Sequence, residues 1–280
     1  MMKRILAGLG GTPICQSTIQ YGVELANRHN ADLTGVTVVD VHRLAKVGPV
    51  PLGGGHWANE LRKHRIRITK ERIEEAIHNF ETACRDKDIR HQIKREERKE
   101  PFDLMLSEAR YHDLMIFGLR SIFDYGVVDE SHDNASNLLI KLIAGGVRPI
   151  LAVSETYRPI RKVLISYSGS MESAKTMKQF IRMQMWPDIE LRIVTFEHSA
   201  DKAHRLLTNA SAYCQAHGFT PEVTHIPKPP KDQLLPVADD WGADLIVMGN
   251  SAKNILLRRI FGETALHVIQ HADRPLFLSQ

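Results

Sequence analysis

The sequence predicts an α/β fold in which two tandem, doubly wound domains each contain a parallel sheet flanked by helices. Three observations support this prediction. The chain of 280 residues is nearly twice the roughly 150 residues of a typical domain. Strand-like motifs occur twice along it in the same order. Short runs that are apolar throughout alternate with amphipathic stretches, as in a parallel sheet covered by helices on both faces.

The repeat is visible in three segments of the first half that recur in the second half. Residues 3–12 match 161–170, residues 113–118 match 244–249, and residues 148–153 match 274–279. Three motifs in a preserved order indicate an internal duplication. We therefore expect a first domain at 1–154, with an inserted loop at about 42–66, and a second domain at 160–280.

The apolar runs and the helical spacing place the elements. In the first half they predict strands at 3–8, 32–39, 89–95, 113–118 and 148–153, and helices at 13–29, 67–87, 101–111 and near 134–144. In the second half they predict strands near 161–167, 189–196, 221–226, 243–248 and 274–279, with helices between them. Ligands of doubly wound sheets bind beyond the carboxyl ends of the strands, so those ends hold the candidate site residues.

Composition disfavours several function classes. The net charge is only +4, and the basic run at 62–67 has no aromatic residues among its cations to stack on bases, which argues against nucleic-acid binding. No apolar run approaches the ~20 residues of a membrane helix. The three cysteines show no CxxC spacing, and residues 3–8 are typical of a first strand, not of a signal peptide. We expect a cytoplasmic protein without membrane contact.

Histidines suggest a metal site at two places, in the insertion and near the end of the chain: His42, His56, His64, His267 and His271. The first three lack the close spacing of zinc ligands, and the last two, at i and i+4, have no established third ligand beside them. We expect surface histidines and no metal. Residues 167–171 place a serine after a strand without the G-x-S-x-G of a hydrolase elbow, so no catalytic residue is predicted.

The motifs together resemble the universal stress protein family. The resemblance lies in the Gly-Gly-Thr at 10–12, the Val-Val-Asp at 38–40, the Ala-Asp-Leu-Ile-Val-Met-Gly at 243–249 and the Arg-Pro-Leu at 274–276. It covers nearly the whole chain as two copies. It implies a five-stranded sheet of order 3-2-1-4-5 in each half and an internal pseudo-dimer joined through 148–153 and 274–279. That pairing would also cover two exposed sheet edges.

ATP-binding members of this family have a pattern of Gly, two residues, Gly, nine residues, Gly, then Ser or Thr. The matching positions in the second half are Gly249, Ala252, Gly262 and Glu263. A methyl group and a carboxylate thus replace a glycine and a hydroxyl that would contact phosphate. The resemblance implies the following candidate nucleotide-binding residues: Ser168, Val194, Gly249, Asn250, Ala252, Lys253, Gly262 and Thr264.

The first half departs further from the ATP-binding pattern, because acidic residues crowd the segment after Gly118. Its candidate ligand-binding residues are Gly10, Val39, Gly118, Ser121 and Trp57. The insertion at 42–66 follows the second strand, so it emerges at the ligand edge and is interpreted as a lid.

The resemblance predicts a non-catalytic stress-response module that senses a small ligand. Two alternatives stay open: a protein that binds or slowly hydrolyses ATP through 249–264, and a protein–protein adaptor. ATP or a related nucleotide is the candidate cofactor, and a homo-oligomer is a compatible assembly.

Overall fold

The computed structural model describes residues 2–39, 53–97, 101–119, 139, 142–143, 149–249 and 262–279. Their strands form one ten-stranded sheet of order β3-β2-β1-β4-β5-β10-β9-β6-β7-β8. Each half therefore contributes five strands in the order 3-2-1-4-5, as the family resemblance implied. Within each half the neighbouring strands are parallel.

The strands lie within two residues of their predicted bounds. They are β1 Arg4–Gly8, β2 Asp32–Val39, β3 His91–Glu97, β4 Leu114–Gly118, β5 Ile150–Val153, β6 Lys162–Ser166, β7 Glu190–Thr195, β8 Glu222–His225, β9 Leu245–Gly249 and β10 Leu276–Ser279. The central strands β4, β5 and β10 are buried along their whole length, because helices cover both faces of the sheet.

The helices with assigned bounds surround this sheet. They are α1 Ile14–His29, α2 Gly55–Arg85, α3 Pro101–Ala109, α4 Met171–Met183, α5 Ala200–Ala216, α6 Pro230–Trp241 and α7 Glu263–His271. No helix of the described ranges is both long and apolar enough to span a bilayer.

The two halves join through the antiparallel pair β5–β10. Leu276 lies opposite Ala152, Phe277 opposite Leu151 and Leu278 opposite Ile150. This confirms the predicted pairing of 148–153 with 274–279. The pairing turns two five-stranded sheets into one and leaves neither β5 nor β10 as an open edge.

An aspartate before the fourth strand of each half fixes the start of the first strand. Asp113 Oδ2 accepts hydrogen bonds from the backbone N–H of Lys3 at 2.7 Å and of Arg4 at 3.0 Å. Asp244 Oδ2 accepts the equivalent bonds from Arg161 and Lys162, both at 2.9 Å. The repeated Asp-Leu motif of the sequence therefore has a structural role in both halves.

The connection between the halves packs against α1. Tyr21 donates its hydroxyl proton to the carbonyl of Arg158 at 2.8 Å. The Glu24 carboxylate accepts from the Trp186 indole N–H at 2.9 Å and from the Tyr157 hydroxyl at 3.2 Å. The division into domains at 154–160 stays a prediction, since the halves share one sheet and these contacts.

The insertion differs from the expected loop. The predicted helix at 67–87 begins at Gly55, so residues 55–66 are its first three turns. These residues are mostly good helix formers without an internal Gly or Pro, and Glu60 pairs with Lys63 at 3.0 Å. The Gly- and Pro-rich stretch of the sequence ends at position 55. The charged residues after it hide the helical spacing of the apolar residues, so the sequence did not predict these first turns. Residues 40–52, and most of the predicted helix near 134–144, lie outside the described residues.

Candidate ligand site

The ligand edge of the second half lies at the carboxyl ends of β6 and β9. The chain leaves β6 towards β7 on one side, while β9 pairs with the other side of β6. This reversal is the switch point where doubly wound sheets bind their ligands. The segment 167–170 follows β6 there and leads directly into α4.

Three serine hydroxyls converge at the start of α4. The Ser168 Oγ lies 3.1 Å from the Oγ of Ser170 and 3.2 Å from the Oγ of Ser173. Ser170 is the N-cap and accepts from the backbone N–H of Ser173 at 3.2 Å. Gly169 between them has φ +75, and its missing side chain avoids Leu206. This serine cluster presents hydroxyls beside a helix N-terminus, which suits an anionic group.

Gly249, at the end of β9, lies directly against the serine cluster. A Cβ on Gly249 would stand 2.8 Å from the carbonyl carbon and oxygen of Glu172 and from the Cα of Ser173. The first turn of α4 thus requires a glycine here for packing alone. The structure brings the predicted residues Ser168 and Gly249 together at one site.

The remaining predicted residues of the second half have different positions. Gly262 is the N-cap of α7, and Thr264 is the second residue of that helix. Val194 is fully buried in β7, and its carbonyl accepts from the Tyr167 N–H at 2.9 Å, so it fixes the β6 loop from within the core. Asn250, Ala252 and Lys253 lie outside the described residues.

Glu263 and Glu197 add negative charge at this edge. Glu263 is in the first turn of α7, where a carboxylate interacts favourably with the helix dipole. Glu197, just after β7, pairs with Lys202 at 2.5 Å, and this hydrogen bond holds the pKa of its carboxyl below the usual range. The Glu197 carboxylate is therefore charged at neutral pH, with Lys202 as its counter-ion.

One residue at this edge of the sheet was not predicted as a site residue from the sequence. Thr195, the last residue of β7, is fully buried, and its hydroxyl has no hydrogen-bond partner among the described residues. A buried hydroxyl without a partner costs free energy unless a water or ligand satisfies it. A threonine ending an apolar strand is common, so only the tertiary structure distinguishes it.

The first half has no equivalent of the serine cluster in its described residues. Gly10 and Cys15 stand at the positions of Ser168 and Ser173, and α1 begins after Pro13 without a side-chain cap. Burial raises the pKa of the Cys15 thiol to about 11, so it stays protonated. Hydroxyl donors are thus replaced here by a glycine and a neutral thiol.

The other first-half candidates are dispersed. Val39 ends β2 and Gly118 ends β4, both at the ligand edge, while Ser121 lies outside the described residues. Trp57 is 75% exposed on the first turn of α2, and within the described residues its ring lies against the ring of His56, with 5.8 Å between their centroids. A side chain this exposed does not serve as the apolar anchor expected of a closed lid.

No group of three or more metal-ligating side chains occurs in the parts of the chain that the structure describes. His267 and His271 stack at 4.3 Å, and the Nδ1 of His271 lies 2.8 Å from the His267 carbonyl oxygen. His56 and His64 lie on the exposed start of α2, and His42 is outside the described residues.

Comparisons with known proteins agree with this fold. A sequence model of the universal stress protein family matches residues 1–115 and 178–279, more than half of the chain. The structure of a universal stress protein from Archaeoglobus fulgidus DSM 4304 is similar at TM-score 0.62 and 15% identity, over 99% of this chain and 96% of that one. A functionally unknown protein from Pseudomonas aeruginosa PAO1 is similar at TM-score 0.63 and 12% identity, over 99% and 92%. Comparison with curated proteins gives no match.

Proposed function

Because the chain belongs to the universal stress protein family, we propose that it is a non-catalytic, small-ligand-binding module of the stress response. Its ligand site is the serine cluster of Ser168, Ser170 and Ser173 against Gly249. The observation that supports this proposal is the convergence of three hydroxyls and a helix N-terminus at the switch point of the second-half sheet. Hydroxyl and N–H donors aimed at one place favour a phosphate group.

The hydrogen bonds of the serine cluster support binding over catalysis. The described bonds run between hydroxyls and to the backbone at 170 and 173, and none reaches a carboxylate or an imidazole. A serine nucleophile needs an adjacent base to remove its proton. Slow ATP hydrolysis is therefore the alternative with less support.

ATP or a related nucleotide is the ligand class that we propose, with low affinity. Glu263 would repel a phosphate near α7, and Ala252 replaces the glycine of the ATP-binding pattern. In the first half, the replacement of Ser168 and Ser173 by Gly10 and Cys15 removes two hydroxyl donors, so binding there is weaker still.

Calorimetric titration of ATP into the purified protein tests this proposal. Ser168→Ala removes an exposed hydroxyl and leaves the Ser170 cap intact, and we expect it to weaken binding about threefold to tenfold, the loss of one hydrogen bond. Thr208→Ala, an exposed hydroxyl on α5, is the matched control and should bind as the natural protein does. ATP binding that is equal in all three proteins would exclude the serine cluster as the site.

Phosphate release in the same samples separates a binding module from a hydrolase. We expect no release above the buffer rate. The complementary substitution Ala252→Gly with Glu263→Ser should strengthen ATP binding, because it frees backbone N–H groups and removes a repelling carboxylate. Binding that is already sub-micromolar in the natural protein would contradict the low affinity proposed here.

A further inference from the structure

A cavity separate from the serine cluster lies between the later turns of α4 and the starts of β1 and β4. Its volume is about 470 Å³. Its lining includes Lys175, Lys178, Arg182, Asp113, Met2 and Met183. Because α4 belongs to the second half and Asp113 to the first, the cavity joins the two halves. Its size is in the range of small-molecule sites, roughly 300–1,000 Å³.

The lining is strongly cationic. Lys175, Lys178 and Arg182 follow each other at i, i+3 and i+7, so they share one face of α4 over about 10 Å. In the described part of the chain none of the three forms an ion pair with a carboxylate. Arg182 donates its Nε–H to the Tyr213 hydroxyl at 3.1 Å, and Lys178 Nζ lies 5.8 Å from the centre of the same ring.

The one carboxylate of the lining, Asp113, offsets only part of the cationic charge and forms no ion pair with the three cations in the described part of the chain. Asp113 Oδ2 already accepts hydrogen bonds from two backbone N–H groups, those of Lys3 and Arg4. Like charges three and four residues apart destabilise a helix by a few tenths of a kcal/mol per pair. The helix dipole favours Arg182, which lies in the last turn of α4, but the spacing of Lys175, Lys178 and Arg182 opposes helix formation.

The internal repeat provides a comparison within the same molecule. Aligning 161–170 with 3–12 places Ser17, Gln20 and Glu24 of α1 at the positions of the three cations. Glu24 there accepts hydrogen bonds from Trp186 of the other half and from Tyr157 of the connection between the halves. The fold therefore needs no cation at any of these positions, and the charge is a property of the second half.

We propose that this cavity binds a small anion with two or more phosphate groups. The ammonium groups of Lys175 and Lys178 contact separate phosphates, and the Arg182 guanidinium, whose terminal N–H donors are not used by Tyr213, holds a third oxygen pair. Met2 and Met183 supply the apolar wall. This site is distinct from the serine cluster and does not depend on it.

Titration of tripolyphosphate by calorimetry at low ionic strength tests the proposal, because this probe has the charges without a base or sugar. The triple variant Lys175→Gln, Lys178→Gln, Arg182→Gln should raise the Kd at least about tenfold, as expected from losing several charge-assisted contacts. The control variant Arg205→Gln, Lys228→Gln, Lys231→Gln removes the same charge from exposed positions elsewhere in the second half. Its Kd should change by less than about threefold.

Three results would overturn the proposal. They are no binding to the natural protein at millimolar probe, an equal loss in both triple variants, and a loss on Ser168→Ala with none in the triple variant of the three cations, which would place the probe in the serine cluster alone. Parallel titration of ATP into Ser168→Ala and into the triple variant separates the two sites, since a site for the phosphate chain alone binds both probes similarly and loses both only in the triple variant. Thermal melting shows whether the variants fold. If the triple variant does not fold, the single substitutions Lys175→Gln and Lys178→Gln, both at exposed positions, provide the same test.

Discussion

The Cα of Ser173 lies 2.8 Å from the point where a β-carbon would stand on Gly249. The end of β9 and the first turn of α4 are therefore in backbone contact. This contact holds the serine cluster at the switch point, so the glycine of the predicted nucleotide pattern has a structural reason that needs no ligand. It also makes the packing of the site testable without knowing what binds there.

We expect Gly249→Ala to destabilise the protein by about 1–3 kcal/mol, because a methyl group would overlap backbone atoms that cannot turn aside. Gly55→Ala is the matched control: a Cβ at Gly55 meets no atom within 4 Å, and its effect should be near zero. Urea unfolding of both variants measures the difference. Equal stability of the two would mean that α4 shifts freely and that the contact is not a constraint.

The repeated aspartates allow a second prediction, with one half of the chain as the control for the other. Asp113→Ala and Asp244→Ala each remove a carboxylate that accepts two backbone N–H bonds, and each should cost about 2–4 kcal/mol. Asp240→Ala removes an exposed carboxylate of α6 and should cost less than about 0.5 kcal/mol. The measurement is again urea unfolding. If one substitution lowered the free energy of unfolding and the other did not, the two aspartates would share their hydrogen bonds but not their contribution to stability.

The positions of the sheet strands could be predicted from the sequence, but the residues of the candidate sites could be predicted only in part. Strand positions were predicted correctly because most strands are short apolar runs and the motifs occur twice, whereas the strand order and the β5–β10 pairing were implied by the family resemblance. The first turns of α2 were missed, since the exposed start of that helix has few apolar residues to show its period. The cationic cavity was missed because Asp113 and Lys175 are far apart in the chain, and only the folded halves bring them together.

The last prediction concerns the pH dependence of stability and a buried histidine of the first half. The His112 side chain is fully buried, with Nδ1 2.8 Å from the Glu108 carbonyl oxygen and Nε2 3.3 Å from the Thr34 hydroxyl. Burial is the main cause that lowers its pKa, and Arg4 and Lys94 act in the same direction, while the Glu108 carbonyl and carboxylate oppose it. The folded protein therefore resists protonating His112, whereas the unfolded chain binds that proton near pH 6.5.

The unfolded state thus binds more protons than the folded state below about pH 7, so the free energy of unfolding must fall as the pH is lowered through 6.5. His112→Asn should reduce the slope of this fall between pH 7.5 and 5.5, and His204→Asn, at an exposed position of α5, should leave it unchanged. Part of the slope will persist in His112→Asn, because burial also lowers the pKa of His29, whose Nε2 lies 3.3 Å from the Met185 carbonyl oxygen. Urea unfolding at three pH values measures the slopes. An unchanged slope in His112→Asn would show that His112 is protonated in the folded protein as readily as in the unfolded chain.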